Sequence, residues 1–267
     1  MNKTNLLNEY SNTEDRLLIS KVLDKLQYCD TRNKITYLYF LNLFEKNLII
    51  KFLNKIKKTN YLFYGGYENC ERTVLFFYPS KYDNNIILSN IKNIIKILRI
   101  ELPKDLYSKY NHKIYLGGLM KLGIKRETIG DIITYETGAD IIILENISNY
   151  LYNNIQELTR FQKCNFQILD IENLKSITPT FKEFDIILPS LRLDSFVSHV
   201  MHCSRNKAIE IINDGRVFVN FSTITKYNKI LSENDIITIR GTGRFYITEI
   251  LGKTKKDNVK IKVKKPI

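Results

Sequence analysis

The sequence predicts an α+β protein in three parts: a helical N-terminal region, a middle βαββαβ domain and a small basic C-terminal module. Three observations carry this. Apolar residues keep helical spacing over Leu17, Leu18, Val22, Leu23 and Leu26. Between residues 94 and 169, strand-like and helix-like stretches follow the order of the ferredoxin-like split βαβ unit. Beyond residue 188 the composition shifts: residues 189–267 hold 15 Lys+Arg against 7 Asp+Glu, whereas the first 188 hold 26 against 21. A chain of 267 residues has room for two or three domains. The boundaries read as 1–80 and 81–170, a linker over 171–188, and 189–267.

The N-terminal helix starts at Thr13, which reads as its cap. Tyr37, Leu41, Phe44 and Leu48 continue the helical spacing, followed by Ile49, Phe52, Leu53 and Ile56. One long helix and two helices with a break near Asn42 both fit. Tyr61–Tyr64 and Val74–Tyr78 are aromatic-rich strands on either side of Gly65-Gly66-Tyr67. In the middle domain Ile94–Leu102 reads as a strand and His112–Leu122 as a helix. Asp131–Tyr135 and Ala139–Leu144 are strands joined by Glu136-Thr137-Gly138. Asn146 caps a second helix that runs to Leu158, and Phe166–Leu169 is the closing strand. RNA-binding modules, enzymes and regulators all use this fold. The strands carry no RNP1-type aromatic consensus, so stacking of single-stranded RNA is not supported. Thr178-Pro179 and Leu188-Pro189 punctuate the linker.

A net charge of +13 points to a polyanionic partner, either nucleic acid or an anionic membrane surface. The chain has 39 Ile, 27 Asn and 30 Lys against 11 Arg, the bias of an AT-rich coding sequence. The position of the charge is therefore more informative than its sum. The last 79 residues carry +8 of it, which evenly spread drift does not explain. Apolar runs reach about five residues where a membrane span needs about 20. The N-terminal stretch has no signal-like apolar segment and contains Glu9, Glu14 and Asp15. The expectation is a soluble cytoplasmic monomer. Cys29, Cys70, Cys164 and Cys203 are scattered, which reads as buried reduced thiols.

In the C-terminal module, Leu191-Arg192-Leu193-Asp194 opens a helix with Phe196, Val197 and Val200 apolar. Ser204 caps a second helix, which carries Arg205 and Lys207 in its first turn and stops at Asp214-Gly215. Free N–H groups at a helix start already favour phosphate, so basic residues there form a candidate anion site. Strands follow over Val217–Asn220 and Asp235–Arg240. A Gly241-Thr242-Gly243-Arg244 loop then leads to Phe245–Ile250.

The segment RLDSFVSHVMHCSRNKAIEIINDGRVFVN, with the later strand NDII, resembles the S-four RNA-binding domain, named for a small-subunit ribosomal protein. That resemblance implies Arg192, Arg205 and Lys207 as first RNA contacts, with Ser204 at the same helix start. Lys226, Arg240 and Arg244 rank second. GGYENCER (65–72), LGGLMKLGIKRETIGDI (116–132) and RGTGRFYITEILGKTKK (240–256) are similar to blocks of the YlmH family. Asn111-His112-Lys113-Ile114 departs from that family's pattern. The likeness implies a helical start, a ferredoxin-like (RRM-like) RNA-binding domain and an S-four domain. It also implies binding to rRNA and tRNA on the large ribosomal subunit near peptidyl-tRNA, in rescue of stalled translation.

Other clusters have two readings each. Lys253, Lys255, Lys256 and the lysines from 260 to 265 are either a solvated, frayed end or a phosphate-attracting tail. Lys121, Lys125 and Arg126 around Gly123 are either a second RNA face or a charged helix end. Glu71-Arg72 reads as an internal ion pair at a domain junction. His199, His202 and Cys203 lack a fourth ligand, so no metal is expected, and no cofactor motif is present. Arg192-Leu193-Asp194 resembles the catalytic segment of pseudouridine synthases. Because it already opens the S-four segment, a catalytic Asp194 is discounted. RNA modification and a division-linked adaptor stand as alternatives to a non-enzymatic RNA binder.

Overall fold

The chain divides into two compact units, residues 1–177 and 178–267. The computed structural model describes residues 3–68, 70–175 and 181–266. Thr178-Pro179, expected to punctuate a linker, lies outside the described residues.

The first unit begins with α1 (Lys3–Leu7) and α2 (Thr13–Arg32). Asn12, one residue before the expected cap, accepts a hydrogen bond from Glu14 N. Next come strand β1 (Thr36–Leu41) and helix α3 (Leu43–Lys55). The expected helical stretch over Tyr37–Leu41 is therefore wrong. TYLYFL is aromatic and tightly buried on alternate positions, which suits a strand between two apolar layers. Asn42 ends that strand and caps α3 in a full capping box with Glu45. Strands β2 (Tyr61–Tyr64) and β3 (Thr73–Phe77) complete a three-stranded antiparallel sheet of order β1-β3-β2.

Helix α4 (Asn84–Ile94), which the sequence reading did not anticipate, leads into the ferredoxin-like part. Its strands are β4 (Ile95–Glu101), β5 (Ile129–Tyr135), β6 (Gly138–Leu144) and β7 (Asn165–Asp170). Helices α5 (His112–Lys121) and α6 (Ser148–Asn154) connect them. The sheet order is β5-β6-β4-β7, all antiparallel, the ferredoxin-like arrangement the sequence predicts. Asn146 is not a cap. It lies inside a 3-10 turn, Glu145–Ile147, that enters α6 directly.

Both faces of this four-stranded sheet are covered. Leu98, Ile100, Ile141 and Ile143 face Tyr115, Leu119, Leu151 and Phe161 of the helical layer. Ile97, Ile142 and Leu144 face the other way, onto Phe40, Val74 and Phe76 of the three-stranded sheet and onto Ile91 of α4. That smaller sheet is covered in turn by α2 and α3, through Ile19, Val22, Ile49 and Phe52. Strands β3 and β6 are buried at every position. Alternate residues of each strand thus serve two different cores, which explains the apolar runs Val74–Phe77 and Ile141–Leu144. The open end of the shared face holds buried Asp140, bound by Arg99 Nε and Nη at 2.7 and 2.8 Å. Chain segment 171–175 closes over it: Asn173 O accepts from Arg99 and Lys175 N donates to Asp140.

The second unit is one six-stranded sheet, order β10-β9-β11-β12-β13-β8, packed on two helices. Its elements are β8 (Phe181–Leu188), α7 (Leu193–Val200), α8 (Arg205–Asn213), β9 (Val217–Val219), β10 (Ser222–Thr223), β11 (Ile236–Ile239), β12 (Gly243–Lys253) and β13 (Val259–Pro266). Two expectations change here. Residues 181–188 are a strand of this unit, not a connector. The lysine-rich end is β13, paired to β12 on one side and β8 on the other, not a frayed tail. Lysine alternates with Ile261 and Val263, whose burial holds the strand in place.

Phe76 is fully buried between the two sheets of the first unit. Phe76→Ala should cost about 3–5 kcal/mol in that unit. Urea denaturation would show it, with Ile97→Ala shifting the same transition because both residues line one core.

Candidate nucleic-acid interface

The two helices of the second unit meet at one carboxylate. Asp194, in the first turn of α7, is fully buried. Arg192 donates to it through Nε at 3.1 Å and Nη2 at 2.8 Å. Arg205, the first residue of α8, donates through Nε at 3.0 Å. Ser195 N adds a bond at 2.9 Å. Burial alone would push the Asp194 carboxyl up, but the hydrogen bonds from Arg192 and Arg205 outweigh it and hold it below the usual carboxylate range. The arginine side chains stay 30% and 56% exposed, so each is anchored on its inner side and open on its outer side.

The loop from Lys226 to Leu231 fixes the other flank. Lys229 O and Tyr227 O accept from Leu193 N and Asp194 N. The Arg192 guanidinium lies 5.7 Å from the centre of the Tyr227 ring, and Lys226 is exposed beside it in sequence. Ser204 caps α8 by accepting from Lys207 N, so its hydroxyl serves the helix first. Lys207 Nζ donates to Glu210 at 2.6 Å, but both side chains are well exposed. Such a solvated pair contributes little and can exchange partners. A groove of about 230 Å³ beside Arg205 is lined by Ser190, Ser195, Ser198 and His199. Ser198 Oγ already donates to Cys203 O, but the Ser190 and Ser195 hydroxyls beside an anchored guanidinium suit a phosphate oxygen.

A second set sits beyond the C-terminal end of α8. Arg216 Nη2 donates to Arg240 O at 3.3 Å. Arg240 lies 5.2 Å from the Phe218 ring and Arg244 5.4 Å from the Phe221 ring. Each aromatic ring supports one face of a guanidinium. Sequence reading passed over Arg216, Tyr227, Phe218 and Phe221. The spacing of Phe218 and Phe221 along the strand and turn gave no signal of which arginine each would support.

The lysines of the β12–β13 hairpin are placed differently from the expectation. Lys253 pairs with Asp257 at 2.7 Å, Lys260 with Asp185 at 2.8 Å and Lys262 with Glu249 at 3.2 Å. Lys264 lies 4.8 and 5.6 Å from the Phe181 and Tyr246 rings. Lys255 is exposed in the hairpin turn. Cross-strand acids thus offset much of the charge that the bare sequence assigns to a phosphate-attracting tail.

In the first unit, Lys121 and Lys125 are exposed. Arg126 turns inward, bonding Ile129 O at 2.5 Å, so it does not belong to the exposed set. Burial and the neighbouring Arg72 push its guanidinium down to about 10. Arg72 does hold a junction, but through the carbonyls of Phe40 and Ile129. Asp131 accepts from Tyr67 OH, Glu71 N and Arg72 N around it. Gly65 is required there: a Cβ would stand 2.1 Å from Arg72 O. Among the described residues no group of three His, Cys, Asp or Glu could hold a metal ion. No helix among them is long and apolar enough to cross a membrane.

Two family models match stretches of this chain. Residues 91–172 match the family described as "Putative RNA-binding domain in YlmH", and residues 191–237 match the "S4 domain". The chain carries the YlmH RNA-binding domain followed by an S4 domain. It is 29% identical over 206 residues to "Ribosome-associated protein quality control protein P2" of Bacillus subtilis (strain 168), covering 74% of this chain and 75% of that protein. The solved structure titled "Cell division protein ylmH from Streptococcus pneumoniae" shares the fold, with a TM-score of 0.50 and 18% identity. The likeness covers 62% of this chain and 98% of that one. The S4 match spans Asp194 and both of its arginines but stops before β12 and β13.

Asp194→Asn should destabilise the second unit by about 1.5–3 kcal/mol, since charged hydrogen bonds become neutral ones. The Asp194 carboxyl is held below its ordinary value of about 3.9. Its contribution is therefore complete above about pH 4 and is lost as pH falls through the lower folded value. Denaturation of both forms as a function of pH would show the difference closing on the acid side.

Proposed function

We propose that this chain is a non-enzymatic RNA-binding protein of the translation apparatus. It would bind rRNA and tRNA on the large ribosomal subunit near peptidyl-tRNA, in rescue or quality control of stalled translation, in the cytoplasm. The observation that carries the reading is the pair Arg192 and Arg205, anchored on buried Asp194 and open outward beside a hydroxyl-lined groove. Anchoring fixes both guanidinium groups before RNA arrives, so little side-chain freedom is lost on binding. Lys207, Lys226, Arg240 and Arg244 would add phosphate contacts and long-range attraction. The relative named for ribosome-associated quality control supports the ribosomal setting.

The same geometry argues against Asp194 as a catalyst. Four hydrogen bonds already engage its oxygens, and no lone pair faces an open cleft. Specificity would come from the shape of folded RNA, with electrostatics supplying most of the affinity.

Arg205→Glu should abolish co-sedimentation with large subunits in sucrose gradients; because it also takes a charged hydrogen bond from buried Asp194, it should lower the melting temperature of the second unit, and circular dichroism at the assay temperature checks that the unit is still folded. Normal co-sedimentation of that variant would remove Arg205 from the site. Crosslinked RNA recovered from the gradient fractions should map to rRNA and tRNA. Absence of the parent chain from every ribosomal fraction would defeat the ribosomal reading.

A further inference from the structure

An RRM-like domain ordinarily offers RNA the open face of its sheet. In this first unit that face is closed by the three-stranded sheet, by α4 and by segment 171–175. An RNA contact by the middle domain must therefore use another surface. The outer face of α5 has the required character. Buried Tyr115, Gly118 and Leu119 turn its inner side to the core, which leaves Lys113, Gly117, Met120 and Lys121 outward. Lys113, Gly117 and Lys121 are spaced i, i+4, i+8, in line over about 12 Å of helix.

Three observations distinguish this face from an ordinary solvated helix. The first is unbalanced charge. Lys104, Lys109, Lys113, Lys121 and Lys125 flank or belong to α5 and are all exposed. Among the described residues none of them lies within 4.0 Å of a carboxylate. Lys55, Lys58, Lys92 and Lys96 of the unit do have such partners, while exposed Lys51 and Lys81 share the lack, so the gathering of five such lysines around one helix is what marks this face. The second is the glycine pair. Gly118 is needed for packing, because a Cβ there would stand 2.4 Å from the Phe161 ring. Gly117 is not: a Cβ would meet only Arg160 Nη1, at 3.9 Å. A mid-helix glycine costs about 1 kcal/mol relative to alanine, and no neighbour in the fold explains this one. The third is Tyr150, 48% exposed, whose hydroxyl donates to Leu122 O and holds the ring beside the end of α5.

We infer that the outer face of α5 is the RNA-facing surface of the middle domain, with Lys113 and Lys121 gripping the backbone of a folded RNA and Gly117 letting it approach the helix closely. This rests on the RNA-binding reading above and names the surface through which the first unit takes part. A smooth basic helix flanked by a fixed tyrosine suits a phosphate ridge. It does not suit an acidic protein surface as well, since no apolar anchor beyond Met120 lies on the stripe.

The test uses the full chain and filter binding to large-subunit rRNA across a salt series. The double variant Lys113→Glu/Lys121→Glu should raise Kd about tenfold or more and lower the log–log salt slope by about 2, with unchanged thermal unfolding. Gly117→Gln should weaken binding several-fold although it should hold or raise the melting temperature, since glutamine is a better helix former. A structural role for Gly117 would instead lower that temperature and would overturn its assignment. Binding by the double variant within twofold of the parent would overturn the surface. A photocrosslinker at Met120 that captures protein and no RNA would overturn it as well. The Arg205→Glu chain and the unaltered chain run alongside: failure of the unaltered chain to bind rRNA defeats the parent reading, whereas intact parent binding with an inert α5 face defeats this inference alone.

Discussion

The organising constraint of the first unit is that one sheet is buried on both sides. β6 lies at its centre with every residue enclosed, and its odd and even positions belong to separate cores. A strand in that position cannot tolerate a polar residue unless the residue is fully satisfied. Asp140 shows how this is met, with Arg99, Tyr135 and the Lys175 backbone all bound to it. The N-terminal helices, the smaller sheet and the segment after β7 are therefore parts of one body with the ferredoxin-like strands. The same enclosure converts an RRM-like topology into a scaffold whose available surfaces are helices and edges.

The second unit is built on the opposite principle, a small core with charge gathered around its rim. What matters there is which cations are committed. Of the hairpin lysines, Lys260 and Lys262 face acids across strands, Lys253 pairs with Asp257 in the turn, and Lys264 and Lys265 rest against aromatic rings. Arg192 and Arg205 are also bonded to an acid, but a buried one that has no water to turn to. A solvated pair such as Lys207–Glu210 can open readily, while the Asp194 pair stays set. Formal net charge, summed over residues, does not distinguish these cases.

Much of this was legible in the sequence, for identifiable reasons. The ferredoxin-like order is readable because turns separate its elements, and the Ser204 helix because capping is a local signal. Tyr37–Leu41 was misread because a strand buried on both faces loses the alternation that marks strands. Helix α4 was missed because NNIILSNIKNI is rich in residues that favour neither state strongly. β8 and β13 were hidden because their pairing is long-range and their outward positions are charged. Of the candidate site, the arginines and lysines were visible as residue types. The anchoring by Asp194, the inward turn of Arg126 and the acid partners of Lys260 and Lys262 depend on tertiary neighbours that no spacing records.

The pairing of β8 with β13 also sets an order of assembly. Phe181 lies opposite Pro266 and Leu188 opposite Val259, so among the described residues the strand that precedes the helix pair has its only sheet neighbour after everything else in the unit. Until β13 emerges, β8 is a strand without a companion, carrying Phe184, Ile186 and Leu188 on its apolar side. Lys182 begins that side, and Glu183 and Asp185 alternate with it on the opposite face, as gatekeeper charges do on segments that must wait. The helices α7 and α8 thus take shape inside a bracket that closes late, and the nascent unit is protected from wrong partners by charge before it is protected by structure.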